Sequence, residues 1–181
     1  MSSIDLVLLG FMCGEPRSAY EIQRHIEHSY ISHSVKISSP AVYKNIVKLE
    51  KGGYLSSEPI REGKMPEKTV YSITQEGREY FSRLMAETSK KDINILMDFN
   101  TVIYNLHKLP KTKALRLVEN IKANIQKSKD HVQVHIEQIE ANRADDIRAE
   151  PYILEQHILL FNSLLIWIDN FIKELRGEEH E

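Results

Sequence analysis

The chain has 181 residues, 41% hydrophobic and 28% charged, with 24 Lys and Arg against 26 Asp and Glu for a formal net charge of −2. That length supports one large domain or two small ones whose core needs no staples, and the charge balance excludes a strongly basic nucleic-acid-coating protein while leaving room for a local basic face. The lone cysteine, Cys13, excludes an intramolecular disulfide and gives an oxidising compartment no support.

From the N-terminus, Met1-Ser2-Ser3-Ile4-Asp5 lacks the basic region of an export signal, and the apolar run after it is about half the length of a bilayer span, so a cytoplasmic location is expected. Ile4 to Cys13 is apolar on most sides, as suits a short central helix ended by Gly14-Glu15-Pro16. Ser18-Ala19-Tyr20-Glu21 has the capping-box form, a serine with Glu three residues later, before Ile22 and Ile26 on one helical face. A third helix is expected from Ser39-Pro40, a cap followed by proline at the first helical position, to a glycine stop at Gly52-Gly53. Beyond it the period changes to two. Tyr54 to Ile60 and Thr69 to Ile73 flank a charged tip, Glu62 to Lys68, which reads as a β-hairpin, and Thr74 can cap a helix from Glu76 to about Thr88 with Tyr80, Phe81, Leu84 and Met85 as its apolar stripe. Three helices, a hairpin and a helix make a winged helix-turn-helix, which sets its third helix into the DNA major groove and its wing against the backbone.

On the third helix Val42, Ile46 and Leu49 share one face, while Ala41, Lys44, Lys48 and Lys51 share the opposite face with Asn45 beside them. Lys44 and Lys48 can reach phosphates or guanine edges, and Asn45 can pair with adenine if it points into the groove. From His33 to Lys68, Lys36, Lys44, Lys48, Lys51, Arg61, Lys64 and Lys68 stand against Glu50, Glu58, Glu62 and Glu67, a local balance of 7−4=+3. From spacing alone, the lysine face can equally be a merely solvated surface.

Five blocks in order, Leu8-Leu9-Gly10, Ser18-Ala19-Tyr20-Glu21-Ile22, Ser39-Pro40-Ala41-Val42-Tyr43, Leu49-Glu50-Lys51-Gly52-Gly53-Tyr54-Leu55 and Lys68-Thr69-Val70-Tyr71-Ser72-Ile73-Thr74-Gln75-Glu76-Gly77, resemble the PadR family of bacterial transcriptional regulators. The resemblance covers the first half of the chain. It implies a homodimeric DNA-binding regulator, usually a repressor, that often responds to a small aromatic or xenobiotic effector. The family commonly has glycine before the tyrosine that Tyr20 matches, and here Ala19 stands there, small in either case. Tyr43 matches the family's recognition-helix tyrosine, whose hydroxyl reaches a phosphate or whose ring only packs. Lys68 matches a basic position before the second wing strand and joins Arg61 and Lys64 as a candidate for backbone or minor-groove contact. The expected DNA-binding set is Ser39, Ala41, Tyr43, Lys44, Asn45, Lys48, Arg61, Lys64 and Lys68.

Six of the seven glycines fall before residue 78, so the second half reads as long helices. After a linker at Glu87 to Lys91, a helix is expected over Ile93 to Leu109, then a long one over Lys113 to Asn142 with a heptad seam of Val118, Ile121, Ile125, Ser128, Val132, His135 and Ile139. The last helix, from Pro151, keeps the step with Leu154, Ile158, Phe161, Leu165, Ile168, Ile172 and Leu175, and carries a second stripe of Leu160, Leu164, Trp167 and Phe171. One helix of the same chain covers one stripe, and a second copy is the simplest cover for the other, although first-half helices can cover it in a monomer. A twofold dimer would present its recognition helices to half-sites about 34 Å apart.

Known catalytic patterns and nucleotide loops are missing, so an enzyme is not expected, nor a cofactor. His131 and His135 share a helix face without a third ligand nearby in sequence, and His25 and His28 have the same weakness. Cys13 is either an inert small apolar residue or a redox sensor. Phe99, Tyr104 and Trp167, near Asp98 and Asn100, either line an effector pocket or belong to ordinary core. The expected organisation is mainly α: a winged-helix DNA-binding domain over residues 1–88 with three helices and a β-hairpin wing, then an α-helical dimerisation domain over 89–181. The expected function is sequence-specific binding of a pseudo-palindromic DNA site, with a winged-helix protein-docking module as the alternative.

Overall fold

The computed structural model describes residues 3–35, 37–61, 67–141 and 150–178, with the side chains of 32, 33 and 139–141 excepted. Lys36, Lys64 with most of the expected hairpin tip, Asn142 and the side chain of Ile139 lie outside the described residues. The chain divides into two compact units, Met1–Ile93 and Asn94–Glu181.

The first unit runs α1 (Ser3–Met12), β1 (Arg17–Ser18), α2 (Ala19–His28), α3 (Ile31–Ser34), α4 (Ser39–Lys51), β2 (Leu55–Ile60), β3 (Lys68–Ile73) and α5 (Gln75–Thr88). It is the expected winged helix with two additions, β1 and α3, both too short for any periodicity to reveal. The sheet has the order β1-β3-β2, all antiparallel, and the wing pairs Leu55 with Ile73 through to Ile60 with Lys68. Because β2 is an edge strand, Pro59 can sit in it without costing a ladder bond.

The capping box forms as the sequence indicates: the Ser18 backbone N–H donates to Glu21 Oε2 at 2.7 Å, and the Glu21 N–H donates to Ser18 Oγ at 3.2 Å. At α4 the cap lies one residue earlier than expected, at Ser38, and it makes no side-chain cap bond. The Ser38 carbonyl accepts from the amides of Ala41 and Val42, which starts the helix by backbone alone, and Ser39 falls inside the first turn. Glycine stops the same helix: Gly53 has φ +76°, its N–H donates to the Glu50 carbonyl at 2.9 Å, and the Tyr54 N–H donates to the Leu49 carbonyl at 3.0 Å. These two reversed bonds are a Schellman motif, which satisfies the last carbonyls and turns the chain directly into the wing.

The core is built from Leu8, Leu9 and Met12 of α1, Ile22 and Ile26 of α2, Val42, Ile46 and Leu49 of α4, Leu55 of β2 and Leu84 of α5. Cys13 is half-buried at its edge. Thr74 caps α5 by accepting from the Gly77 N–H at 3.0 Å, and its hydroxyl donates to the Gly53 carbonyl at 2.7 Å. This corner draws the backbone of α5 onto Tyr54.

The second unit contains α6 (Asn100–Asn105), a 3-10 turn (Leu106–Lys108), α7 (Lys111–Ala141) and α8 (Glu150–Arg176). The helix expected over Ile93 to Leu109 is mostly not there: residues 92–97 have no regular structure and α6 begins only after a turn in which the Asn100 N–H meets the Met97 carbonyl at 3.0 Å. Ile93, Leu96 and Met97 stand at helical spacing, but Ile93, Ile95 and Leu96 are all exposed, so no buried apolar face sustains a helix there. The helices α7 and α8 run antiparallel, tied by Lys122 to Asp169 at 2.6 Å and Arg176 to Glu119 at 2.8 Å. Between them Val118, Ile121 and Ile125 pack with Ile168 and Ile172, and Val132 and Leu154 are buried further along. Ile158, Phe161 and Leu165 are half-buried, whereas Ser128 of the expected seam is exposed. Among the described residues, no helix is long and apolar enough to cross a membrane.

A Cβ added at Gly77 would lie 2.1 Å from the Tyr54 carbonyl oxygen and 2.8 Å from Ile73 Cγ1, whereas one at Gly14 would meet nothing within 4 Å. Gly77→Ala should therefore lower stability by at least about 2 kcal/mol and Gly14→Ala by no more than about 0.5 kcal/mol. Urea unfolding of both variants checks this, and equal midpoints would contradict the packing.

Candidate nucleic-acid interface

The outward face of α4 follows from what the helix buries. With Val42, Ile46 and Leu49 against the core, the residues turned away include Tyr43, Lys44, Val47, Lys48 and Lys51, all exposed. Tyr43 is 43% exposed, so its ring is not core packing. Val47 is a contact candidate that lysine spacing overlooks; its signal is an apolar residue off the buried stripe, able to meet a thymine methyl.

Four of the residues expected to read DNA have partners inside the protein. Ser39 Oγ donates to Glu27 Oε1 at 3.2 Å and accepts from Gln23 Nε2 at 3.1 Å. The Asn45 amide donates to the Ala41 carbonyl of its own helix at 2.7 Å, and both residues are half-buried rather than turned outward. Lys48 Nζ lies 2.8 Å from Asp5 Oδ2 of α1, with the Asp5 side chain 1% exposed and that of Lys48 60% exposed. The hydrogen bond to Asp5 holds the Lys48 ammonium above the usual lysine pKa. Lys68 Nζ lies 3.3 Å from Glu21 Oε1, so a wing residue is anchored to the capping box of α2. Arg61 is exposed at the end of β2.

The second unit holds a cavity of about 410 Å³ lined by Met97, Phe99, Ile125, Phe161 and Leu164, with Asn124, Ser128 and His157 as its polar members. Of the three aromatic residues expected at an effector pocket, Phe99 lines it, Trp167 stacks on Phe99 with ring centres 6.1 Å apart, and Tyr104 is 78% exposed and is not among the lining residues. His157 Nδ1 is hydrogen-bonded to the Ile153 carbonyl at 2.9 Å. Among the described residues no three His, Cys, Asp or Glu are placed to hold a metal ion; His135 instead faces Glu150 at 3.5 Å and His25 packs edge-on to Phe11.

The family model of a winged helix DNA-binding domain matches residues 19–90. Over both units together the chain is similar to Bacillus subtilis PadR in complex with operator DNA, with a TM-score of 0.82 and 15% identity over 97% of this chain and 98% of that one. The chain has the PadR fold. The same Bacillus protein in complex with p-coumaric acid gives a TM-score of 0.77 at 13% identity, covering 97% and 98%. The Vibrio cholerae virulence activator AphA gives 0.72 at 19% identity, covering 97% and 99%. Comparison with curated proteins finds no match. Within this fold α4 is the third long helix of the winged helix and the β2–β3 hairpin is its wing.

Glu21 is the electrostatic hinge between α2 and the wing. Its carboxyl is held below the ordinary glutamate range, first by the backbone N–H of Ser18, then by the Ser18 hydroxyl, with Lys68 adding to both. A depressed carboxylate contributes stability that is complete above its unfolded value, about pH 4.3, and is lost as pH falls through the lower folded value. Glu21→Gln should thus be less stable than the parent at pH 7, with the gap closing between about pH 5 and pH 3. Thermal melts across that range decide it; a gap independent of pH would remove the charge from the explanation.

Proposed function

We propose that this chain is a homodimeric, sequence-specific DNA-binding transcriptional regulator that reads a pseudo-palindromic operator and is switched by a small molecule. The observation that carries the reading is the outward face of α4, where Tyr43, Lys44, Val47 and Lys51 are exposed opposite a fully buried stripe. It combines what a major-groove helix needs: cations for phosphates, a phenol tip and an apolar contact. Arg61 and the wing extend it along the backbone, with Lys64 as a further candidate. Whether occupancy represses or activates depends on where the operator lies relative to the promoter.

The dimer rests on the second unit. Tyr152, Leu159, Ile166 and Trp167 are all exposed on α8, more apolar surface than one helix of a monomer ordinarily presents to water. A second copy covers it most simply and sets two recognition helices on successive half-sites. The cavity supports the effector. Its lining carries no Asp, Glu, Lys or Arg, so it suits an uncharged, largely aromatic molecule with one or two hydrogen-bonding groups; burying a carboxylate there without a partner is unfavourable. Bacillus subtilis PadR binds p-coumaric acid, and here the corresponding neutral amide is the better probe. The ligand acts by binding one dimer arrangement more tightly than the other.

Fluorescence anisotropy against fragments of the protein's own upstream DNA tests the reading. A specific fragment should bind with log affinity falling linearly in log salt, and Lys44→Ala, which removes one cation from each protomer of the dimer, should make that slope shallower by about 1.8 with the fold intact. Salt-insensitive binding, or none, would point to a winged helix that docks protein. Sedimentation should find a dimer at micromolar concentration, and a monomer there would overturn the assignment of α8. For the cavity, p-coumaric amide should raise the melting temperature more than p-coumarate does, and the reverse order would locate the effector elsewhere.

A further inference from the structure

We infer that Asp5 is a specificity-determining residue, which withholds the Lys48 ammonium from the DNA backbone although that lysine stands on the exposed side of the recognition helix. The inference rests on the DNA-binding reading of α4. Asp5 lies in the first turn of α1, buried to 1% exposure, and Lys48 Nζ meets its Oδ2 at 2.8 Å. The other oxygen, Oδ1, is buried without a hydrogen-bond partner. Among the described residues Lys48 is the one ion-pair partner Asp5 has. If Lys48 swung out to a phosphate, both carboxylate oxygens would be buried and uncompensated, while the lysine would gain only a solvent-screened contact. The buried pair wins.

The consequence concerns discrimination. Non-specific affinity for DNA comes from cations neutralising phosphates, whereas discrimination comes from contacts to base edges. By pairing Lys48 internally, Asp5 lowers the phosphate count of the reading head while leaving Tyr43, Lys44, Val47 and Lys51 in place. It also ties α4 to α1, so the pose of the reading face is set by a pair whose carboxylate is buried and whose ammonium is exposed. A lysine that counts toward the local positive balance in the sequence thus does not count in the complex.

The test is the salt dependence of binding to operator and to random duplex. Asp5→Asn removes the charge at nearly constant shape and releases Lys48. Because the dimer carries two such lysines, the variant's slope of log affinity against log salt should be steeper than the parent's by about 1.8, so it loses about 12-fold more affinity between about 50 and 200 mM salt. At low salt it should bind random duplex more tightly and discriminate less. Adding Lys48→Met to Asp5→Asn should return the slope to the parent value. An Asp5→Asn slope equal to the parent's would overturn the inference. Because replacing a buried aspartate can cost the fold, the parent protein supplies an independent reading. Reductive methylation with and without operator duplex should show Lys44 protected by DNA and Lys48 unchanged. DNA-dependent protection of Lys48 would overturn the inference even where the DNA reading stands, and absence of salt-dependent binding by the parent would overturn both.

Discussion

The burial of one apolar stripe on α4 is the constraint on which the rest of the first unit depends. Val42, Ile46 and Leu49 can reach the core formed by α1, α2 and α5 in only one rotation of the helix, and that rotation decides which residues face solvent. Everything functional is the complement of this packing. Tyr43 and Lys44 face outward because Val42 and Ile46 face in. The two ends of the helix then fix its length: backbone bonds to the Ser38 carbonyl at the start, and the Schellman turn at Gly53 at the finish. The turn brings Tyr54 under the cap of α5, and the Thr74 hydroxyl and the glycine at 77 close the corner. The wing springs from a rigid junction, as a backbone-contacting hairpin requires.

Most of this was legible in the sequence because it rests on local chemistry. Capping boxes, glycine stops and a change of period from 3.6 to 2 are each set by a few neighbouring residues, so Ser18, Gly52-Gly53 and the wing strands stand where the pattern puts them. What was not legible came from contacts distant in sequence. Nothing near Lys48 indicates that Asp5, 43 residues earlier, takes its charge, and nothing near Lys68 indicates Glu21. The pairing of Asn45 with its own helix was equally hidden, because an amide at such a position is free or back-bonded according to the side chain's rotamer. Val47 was overlooked for another reason: a search for cations on a reading face passes over a valine.

In the second unit the sequence overestimated order before Asn100 and described the long helices well. Heptad spacing is a strong signal over seven turns, so α7 and α8 begin within two residues of their expected starts. The stretch from Ile93 to Leu96 carries apolar residues at a helical step that stay exposed, and spacing without a face to bury does not sustain a helix. Part of that segment has a use all the same: Ile95 and Met97 close one side of the cavity that Phe99 and Phe161 line. A segment without regular structure can adjust to a bound molecule more cheaply than the packed helices can.

A chain of net charge −2 is an unusual DNA binder only if charge is summed over the whole surface. Counterion release depends on cations that come within reach of phosphates, and distant acidic residues are screened beyond about 8–10 Å in physiological salt. The arrangement here narrows the reachable set further, since Lys48 and Lys68 are matched by Asp5 and Glu21, two carboxylates that lie outside the basic stretch in sequence. Lys44, Lys51 and Arg61 are left as the exposed described cations of α4 and the wing. In the proposed regulator, few phosphate contacts would keep affinity for random DNA modest, and a dimer would have to place both reading faces correctly to bind well. Modest charge at each head and a second head at fixed spacing would together favour the proposed operator over bulk DNA, because the specific contacts would be counted twice while the non-specific attraction stayed small.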